Sequence, residues 1–311
     1  MTLPHLDEAA VLALGPRAAA DALEQALRDG LDPASGVPRS FVGVPAGELI
    51  IMPAAGPRHV GTKLVGVAPR NAERGLPRIG AVYVLFDAGT MQPVATLNGT
   101  ALTTLRTPAV SVVGLRPWLR DQNTPRHVVV FGAGPQGVGH LDALAAEGEL
   151  GEVTFVVRRP DAVTLPPTGP AAGAGLLASD DPRVAEALGT ADVVVCATTA
   201  RTPVFDSSLV AADRQVLVAA VGSHEPEAAE VDVAYVRSAT VVVEDVATAL
   251  RECGDVVQAV DVGAVVERNL VPLAAVARGK APVRGGRVLF KGSGMAWQDL
   301  VVAEAVLDAQ R

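Results

Sequence analysis

The sequence predicts an α/β protein that combines a doubly wound parallel sheet with a separate α+β domain. Residues 127–147 have the pattern of a strand, a glycine-rich turn and a helix. Short, almost continuously apolar runs follow at 153–157, 192–197, 216–221 and 240–244, as expected for parallel strands covered on both faces. More than 120 residues precede the glycine-rich turn and carry strand and turn signals of their own, which predicts a further domain.

The glycine-rich turn has the sequence Gly132-Ala133-Gly134-Pro135-Gln136-Gly137. Gly132 permits the tight turn, Gly134 keeps a Cβ out of the way of a phosphate, and Gly137 allows helix and strand to pack closely. Such a turn places a pyrophosphate on the N-terminus of the helix, so we predict a Rossmann domain that binds a nicotinamide or flavin dinucleotide. An ordinary βα turn is the alternative. The residues assigned to the cofactor are Gly132, Gly134, Pro135, Gln136 and Gly137.

The end of the next strand bears on which dinucleotide is bound. The run 153–157 ends at Val157 without an acidic residue, and Arg158 and Arg159 follow. Asp or Glu at this position holds the ribose 2′-hydroxyl of NAD, whereas arginine suits the 2′-phosphate of NADP. The sequence therefore favours NADP(H), with both arginines binding the cofactor. NAD(H) remains possible if they are solvated surface residues.

Composition restricts the class of protein. The chain of 311 residues is long enough for two domains, and 49% hydrophobic against 19% charged residues exclude a disordered protein. A net charge of −8 predicts neither nucleic acid nor an anionic membrane as a partner, and no apolar stretch has spanning length. Cys196 and Cys253 lack disulfide or metal spacing and are expected to be buried thiols. We expect a cytoplasmic protein without a metal site.

The first 120 residues are predicted to form the α+β domain. Its predicted strands are 48–52, 63–68 and 81–87, its turns 53–57, 69–77 and 88–93, and its helices 18–27 and 107–119. Proline and polar residues at 117–125 predict a boundary, so that the domains are 1–120 and 121–293. A final helix at 297–309 follows a glycine hinge, and residues 294–311 are expected to return to the first domain.

Three cations of the first domain are candidates for binding a carboxylate. Arg39 lies in a Pro-Arg pair, Lys63 opens a predicted strand, and Arg106 stands where the second helix is expected to begin. An arginine at a helix N-terminus is disfavoured by the dipole unless an anion lies between it and the exposed N–H groups. Each residue alone is compatible with a solvated surface position, but together they suggest a site for a substrate carboxylate.

Seven motifs occur in collinear order along nearly the whole chain. They are Pro38-Arg39, Met52-Pro53, Gly61 to Asn71, Leu102 to Ala109, Gly132 to Gln136, Gly222-Ser223-His224-Glu225-Pro226 and Phe290 to Asp299. Together they resemble the ornithine cyclodeaminase/μ-crystallin family. The resemblance implies a doubly wound nucleotide domain and a substrate domain that is built from both chain ends and forms a homodimer.

The resemblance also implies roles for single residues. Residues matching Arg39, Lys63 and Arg106 bind the substrate carboxylate in the family, and those matching residues 134–136 contact the cofactor. Lys63 is assigned to catalysis as well, and Gly222 of the G-S-H motif to the cofactor.

Two positions depart from the ornithine cyclodeaminases, which carry a glutamate two residues before the M-P pair and an aspartate in the G-G-D-x-P loop. In this chain Ile50 and His224 stand there, and Glu48 lies two residues away from Ile50. Isoleucine cannot act as a base, so the deamination machinery is incomplete. His224 follows the run 216–221 at the carboxyl end of the predicted sheet, where it could protonate an imine nitrogen. A loop histidine fixed by a neighbouring glutamate is the alternative.

The sequence thus predicts an NAD(P)H-dependent reductase of cyclic ketimine carboxylates, such as Δ1-pyrroline-2-carboxylate, or a related dehydrogenase of a small amino or imino acid. The second hypothesis is ornithine cyclodeaminase itself, in which a bound cofactor is oxidised and reduced in turn. The third is a non-catalytic binding protein like the μ-crystallins, although intact Arg39, Lys63 and Arg106 argue against lost chemistry. Net consumption of NADPH separates the first hypothesis from the second, and any turnover weakens the third.

Overall fold

A computed structural model describes residues 3–120, 125–282 and 285–310 of the chain. The chain forms two compact units. The first unit comprises Met1–Thr107 and Met295–Arg311, and the second comprises Pro108–Gly294. The last residues of the chain therefore belong to the same unit as the first ones.

The strands of the first unit are β1 (His5–Leu6), β2 (Ser40–Val44), β3 (Gly47–Ala55), β4 (His59–Val67), β5 (Ile79–Asp87) and β6 (Pro93–Asn98). Those of the second unit are β7 (Arg126–Phe131), β8 (Leu150–Val157), β9 (Gly175–Ala178), β10 (Val193–Cys196), β11 (Val216–Ala220), β12 (Thr240–Val243), β13 (Val271–Pro272) and β14 (Arg287–Lys291). The helices are α1 (Glu8–Leu12), α2 (Pro16–Arg28), α3 (Gly99–Leu119), α4 (Pro135–Glu147), α5 (Arg183–Thr190), α6 (Val233–Ser238), α7 (Val246–Glu252), α8 (Gly254–Asp261), α9 (Leu273–Ala277) and α10 (Ala296–Ala309). None of these helices, in the part of the chain that the structure describes, is long and apolar enough to cross a membrane.

The first unit is built on a six-stranded sheet in the order β1-β6-β5-β4-β3-β2. Its pairs from β2 to β6 are antiparallel, and β1 pairs parallel with β6. Helix α10 packs on β3 and β4, and every second residue of β4 is buried. This alternation is expected for an antiparallel sheet with one covered face.

The strands predicted at 48–52, 63–68 and 81–87 are confirmed as β3, β4 and β5. The turn predicted at 53–57 is wrong in its first half, because β3 continues through Pro53, which pairs with Thr62. Strands β1, β2 and β6 were not predicted. All residues of β2 are exposed, so that it has no alternation, and β6 begins inside the turn predicted at 88–93.

The second unit contains an eight-stranded parallel sheet in the order β13-β12-β14-β11-β10-β7-β8-β9. From β7 outward, β8 and β9 lie on one side and β10 and β11 on the other, which is the order of a dinucleotide-binding Rossmann sheet. The predicted doubly wound parallel sheet is confirmed. Strands β10 and β11 are buried throughout, which explains their unbroken apolar sequences. Strands β9 and β13 are too short, at four and two residues, to produce a periodic signal.

Helix α3 begins at Gly99, eight residues before the predicted start at Thr107. The side chain of Asn98 accepts a hydrogen bond from the backbone N–H of Ala101 at 2.9 Å and so caps the helix. Proline is common in the first turn of a helix, and Pro108 directly follows the predicted start at Thr107. The proline instead lies inside the helix.

The division between the two units falls inside α3, between Thr107 and Pro108. The boundary predicted from residues 117–125 differs from this division, and residues 121–124 of that segment lie outside the described residues. Composition points to loops as boundaries, whereas a helix that contributes one half to each unit leaves no such signal.

Candidate active site

Lys63 lies in the middle of β4, opposite Met52 of β3 and Tyr83 of β5. Opposite residues of antiparallel strands project from the same face of a sheet, and both of these neighbours are buried. The Lys63 side chain is only 2% exposed. Because every second side chain of β4 faces the interior of the first unit, Lys63 lies there at a position where an apolar residue is expected.

Asp299 of α10 provides the counter-charge for Lys63. Nζ of Lys63 donates to Oδ1 of Asp299 at 2.8 Å and to the hydroxyl of Thr103 at 3.0 Å. Nε of Arg106 donates to the same Oδ1 at 3.3 Å, and its Nη1 donates to Oε1 of Gln298 at 2.9 Å. One buried carboxylate oxygen therefore bridges two cations. With all three groups ionised, this cluster keeps a net positive charge, as an anion-binding site requires.

Burial lowers the pKa of Lys63 from 10.5 to about 8. The negative charge of Asp299 and its hydrogen bond oppose the shift, whereas the positive charges of Arg106 and Arg39 add to it. Arg39, which is partly exposed just before β2, thus lies within electrostatic reach of Lys63. The structure brings Lys63 and Arg106 together on Asp299, Arg39 is near enough to act on the charge of Lys63, and Lys63 has a pKa of about 8.

The predicted relation between Arg106 and a helix N-terminus is wrong. Arg106 lies well inside α3, because that helix begins at Gly99. Its backbone N–H group therefore belongs to the body of the helix and offers no anion site of the kind expected. The counter-charge of Arg106 is instead the carboxylate of Asp299.

Next to Lys63, the residues of β3 and β4 on this face are apolar, whereas Tyr83 lies opposite on β5. Ile50, Met52 and Val65 form a buried cluster, and Ala296 at the start of α10 packs against it. Ile50 pairs with Val65, so that no carboxylate stands at this position. A ligand bound next to Lys63 on this face meets hydrocarbon.

The glycine turn of the second unit has the geometry that the sequence predicts. Gly132 has a φ of +96°, in the left-handed region. A Cβ on Gly137 would lie 2.0 Å from the carbonyl oxygen of Gly132, whereas a Cβ on Gly134 would meet no heavy atom within 4 Å. Helix α4 begins at Pro135 with Gly134 as its N-cap. The turn is closed towards the strand and open on the side where the helix N-terminus could receive a phosphate.

A cavity of about 830 Å³ lies beside this turn. Its lining includes Gly132, Ser179 and three arginines, namely Arg158, Arg159 and Arg201, and no acidic residue among the described ones. Arg201 also pairs with Glu225. Arg158 and Arg159 are exposed directly after β8, and the cavity suits a polyanion.

Glu230 joins two loops at the carboxyl end of the parallel sheet. Its Oε2 accepts the backbone N–H of Gly222 at 2.6 Å. Its Oε1 accepts the backbone N–H of Thr198 at 2.8 Å and the hydroxyl at 2.7 Å. A Cβ on Gly222 would lie 2.1 Å from the carbonyl oxygen of Thr198, so this approach requires glycine. The loops after β10 and β11 are thereby fixed against each other.

A second buried group fixes the residue before His224. Nζ of Lys291 donates to the carbonyl oxygen of Ser223 at 2.9 Å and to its hydroxyl at 3.0 Å, and it lies 3.0 Å from Oδ2 of Asp255. Lys291 and Asp255 are fully buried. His224 itself is exposed in the loop after β11. The residue before His224 is thus hydrogen-bonded to a buried ion pair, and the proton-donating role of His224 remains a prediction.

Sequence reasoning missed the acidic residues of both units. Asp299 and Gln298 end the last of the seven motifs, and that position could have marked them as partners of the cations. Glu230 has Glu227 and Asp232 close by and Asp255 has Glu252, so the sequence does not distinguish these two buried carboxylates from their neighbours. The two thiols, Cys196 and Cys253, are free and buried as expected.

Comparison with known proteins places the chain in a family. The model of the ornithine cyclodeaminase/mu-crystallin family matches residues 11–311. The chain belongs to this family, and the resemblance of the seven motifs is confirmed.

Individual relatives include several reductases and dehydrogenases. The Delta(1)-pyrroline-2-carboxylate/Delta(1)-piperideine-2-carboxylate reductase of Azospirillum brasilense is 34% identical over 87% of this chain and 84% of its own length. The alanine dehydrogenase of Archaeoglobus fulgidus is 29% identical over 93% of this chain and 89% of its own. Among solved structures, the iminosuccinate reductase of Paracoccus denitrificans in complex with NAD+ has a TM-score of 0.83 and 25% identity, and the match covers 98% of this chain and 95% of that one.

Proposed function

We propose that this chain is an NAD(P)H-dependent reductase of a cyclic ketimine carboxylate, such as Δ1-pyrroline-2-carboxylate, which it converts to L-proline. The observation that carries this proposal is the buried cluster of Lys63, Arg106 and Asp299 beside the apolar residues Ile50 and Met52. A net positive charge suits one carboxylate, and a hydrocarbon wall suits an uncharged ring. The similarity to the Azospirillum reductase, at 34% identity, supports the same substrate class.

A bound nicotinamide dinucleotide supplies the hydride for this reaction. The open backbone at Gly134 and the arginine-lined cavity fit such a cofactor. The ring carbon of the C=N bond gains the hydride, the π electrons move to the nitrogen, and the nitrogen takes up a proton. Arg39, Lys63 and Arg106 hold the carboxylate, and His224 provides the proton. No ammonia is released in this sequence of steps.

The apolar surroundings of Lys63 also argue against L-ornithine as the main substrate. The distal ammonium of ornithine needs an anionic partner, and its burial beside Ile50 would cost several kcal/mol. Glu48 lies near the start of β3 and is partly exposed, two residues from Ile50. A cyclic imino acid carries no distal ammonium and avoids this cost.

We further propose that the protein prefers NADP(H) and forms a homodimer. Arg158 and Arg159 follow β8, and no acidic residue lines the cavity among the described residues, which favours a 2′-phosphate.

The dimer is proposed from the edge of the first sheet, where β2 exposes Phe41, Val42 and Val44 to about half of their surface (54%, 48% and 51%). An exposed apolar edge strand of this kind is suited to pairing with a second copy. Sedimentation of the unaltered protein and of Phe41→Glu tests the dimer.

The function is tested by NADPH oxidation with a panel of substrates. The panel contains Δ1-pyrroline-2-carboxylate and Δ1-piperideine-2-carboxylate, pyruvate with ammonia as an acyclic imine source, and L-ornithine. We expect net NADPH consumption to be fastest with a cyclic imine. Ammonia release from L-ornithine without net change of the cofactor would support the cyclodeaminase instead, and binding without any turnover would support a binding protein.

A further inference from the structure

Asp299 is a buried carboxylate whose hydrogen-bonding capacity is only partly used. Its side chain is fully buried, and its Oδ2 has no hydrogen-bond partner among the described residues. The contacts described for Asp299 join its Oδ1 to Lys63 and Arg106. A buried charge is costly unless it is well paired, so these two contacts must account for its presence.

We propose that Asp299 is a positioning residue that keeps Lys63 protonated and aligned with Arg106 to receive the substrate carboxylate. The identity of the substrate rests on the proposed function, whereas the effect of Asp299 on the charge of Lys63 does not. Without Asp299, two buried cations would face each other with no anion between them. The neutral form of Lys63 would then be favoured, and one of the two groups for the carboxylate would be lost.

The charged and titratable groups around Lys63 support this assignment. Burial and the charges of Arg106 and Arg39 all favour the neutral lysine and lower its pKa, whereas among the charged groups of the described residues Asp299 favours the charged form. Tyr83, opposite on β5, is also buried, and its pKa is raised far above its usual value, so it stays neutral. The charge of Lys63 in the free protein therefore depends on one carboxylate.

Removing the charge of Asp299 and removing the charge of Arg106 should shift the pKa of Lys63 in opposite directions. Asp299→Asn removes the group that raises the pKa of Lys63, so the pKa should fall. Arg106→Gln removes a group that lowers it, so the pKa should rise. General loosening of the packing would move both variants in the same direction, towards the value of an exposed lysine.

This chain is well suited to direct measurement, because it contains only three lysines, Lys63, Lys280 and Lys291. Lysine labelled with ¹³C at Cε gives one resonance for each, and Lys63→Arg and Lys280→Arg assign them. We expect Lys63 to titrate at lower pH in Asp299→Asn and at higher pH in Arg106→Gln than in the unaltered protein. Glu304→Gln is the matched control, since Glu304 lies on the same helix but pairs with Arg58 and His59.

Ligand binding provides a second readout that does not need turnover. The probe is pyrrole-2-carboxylate, a planar ring acid whose carboxylate stays ionised at neutral and alkaline pH. Its affinity should decrease above the pKa of Lys63, by at most roughly tenfold for each pH unit, until it reaches the affinity of the form with neutral Lys63, and this decrease should begin at lower pH in Asp299→Asn. An unchanged Lys63 titration in both variants, or shifts of the same sign, would overturn the proposal. If Asp299→Asn does not fold, the same titration of Asp299→Ser decides, and a pKa of Lys63 that does not fall in that variant would overturn the proposal. Failure of the unaltered protein to reduce any imino acid would refute the proposed function, but it would not contradict the effect of Asp299 on the charge of Lys63.

Discussion

Lys63 and Asp299 are 236 residues apart in the chain, and their buried side chains share a hydrogen bond of 2.8 Å. The bond connects the middle of β4 with the first turn of α10. The helix at the C-terminal end of the chain thus completes a charged cluster that begins in the N-terminal region. A substrate carboxylate at this cluster would be bound by groups from three separate segments, β4, α3 and α10.

Lys63→Ala and Arg106→Ala should each impair turnover severely and leave cofactor affinity nearly intact, because both residues lie outside the Rossmann unit. A lost hydrogen bond to a charged group costs about 1.5–3 kcal/mol, which corresponds to a rise of roughly tenfold to a hundredfold in KM for the imino acid. Steady-state kinetics and NADPH titration check both parts. Arg58→Ala is the control, since Arg58 is half exposed and pairs with Glu304 and Asp308 of α10. Loss of folding or of NADPH binding in both variants would assign the two residues to structure instead.

The glycine turn was predictable from the sequence because its requirements are local. The spacing of Gly132, Gly134 and Gly137 is set by one strand, one turn and one helix, and their geometry agrees with the sequence. The pairing of Lys63 with Asp299 was not predictable from spacing, since no periodic signal connects β4 with α10. Arg106 was misplaced for a different reason, because Asn98 caps α3 well before the predicted start at Thr107.

Two glycines of the turn should respond differently to alanine. Gly137→Ala places a Cβ 2.0 Å from the carbonyl oxygen of Gly132, so the backbone must move, at a cost of about 1–3 kcal/mol in the free energy of unfolding. Gly134→Ala meets no heavy atom within 4 Å and should fold normally but bind the dinucleotide more weakly. Urea denaturation and NADPH titration separate the two effects. Equal loss of stability in both variants would contradict the assignment of Gly134 to the phosphate.

Replacing Arg158 and Arg159 by alanine should weaken NADPH binding by about tenfold to a hundredfold and leave NADH binding unchanged, since only NADPH carries the 2′-phosphate. The dissociation constants of both cofactors give the measurement. Arg183→Ala serves as the control, because Arg183 is exposed, pairs with Asp181 and does not line the cavity. Equal or better kcat/KM with NADH in the unaltered protein would end the claim of NADP preference.

His140 should make the folded protein less stable in acid. Burial lowers its pKa from 6.5 to about 4, and its ring nitrogens bond to the backbone of Gln136 and the hydroxyl of Ser111. Between these pKa values the unfolded chain binds a proton that the folded chain does not, so stability falls as the pH decreases. The contribution of His140 between pH 7 and pH 5 should be about 2 kcal/mol. Urea denaturation of the unaltered protein and of His140→Gln at both pH values isolates this contribution. If the two proteins differ by the same free energy of unfolding at pH 7 and at pH 5, His140 is not the group responsible.

His224→Ala tests whether the histidine supplies the proton to the imine nitrogen. The residue follows β11 at the carboxyl end of the parallel sheet, is exposed, and is attached to a backbone fixed by Lys291 through Ser223. An exposed imidazole can exchange protons with water and donate one to a ligand. General acid catalysis contributes about 10²–10⁴-fold, so kcat should decrease by that factor while NADPH affinity changes little. His5→Ala is the control, because His5 is exposed on β1 of the other unit. An unaffected kcat in His224→Ala would leave the fold and the cofactor site in place and would require another proton donor, for which Lys63, with a pKa of about 8, is the first candidate.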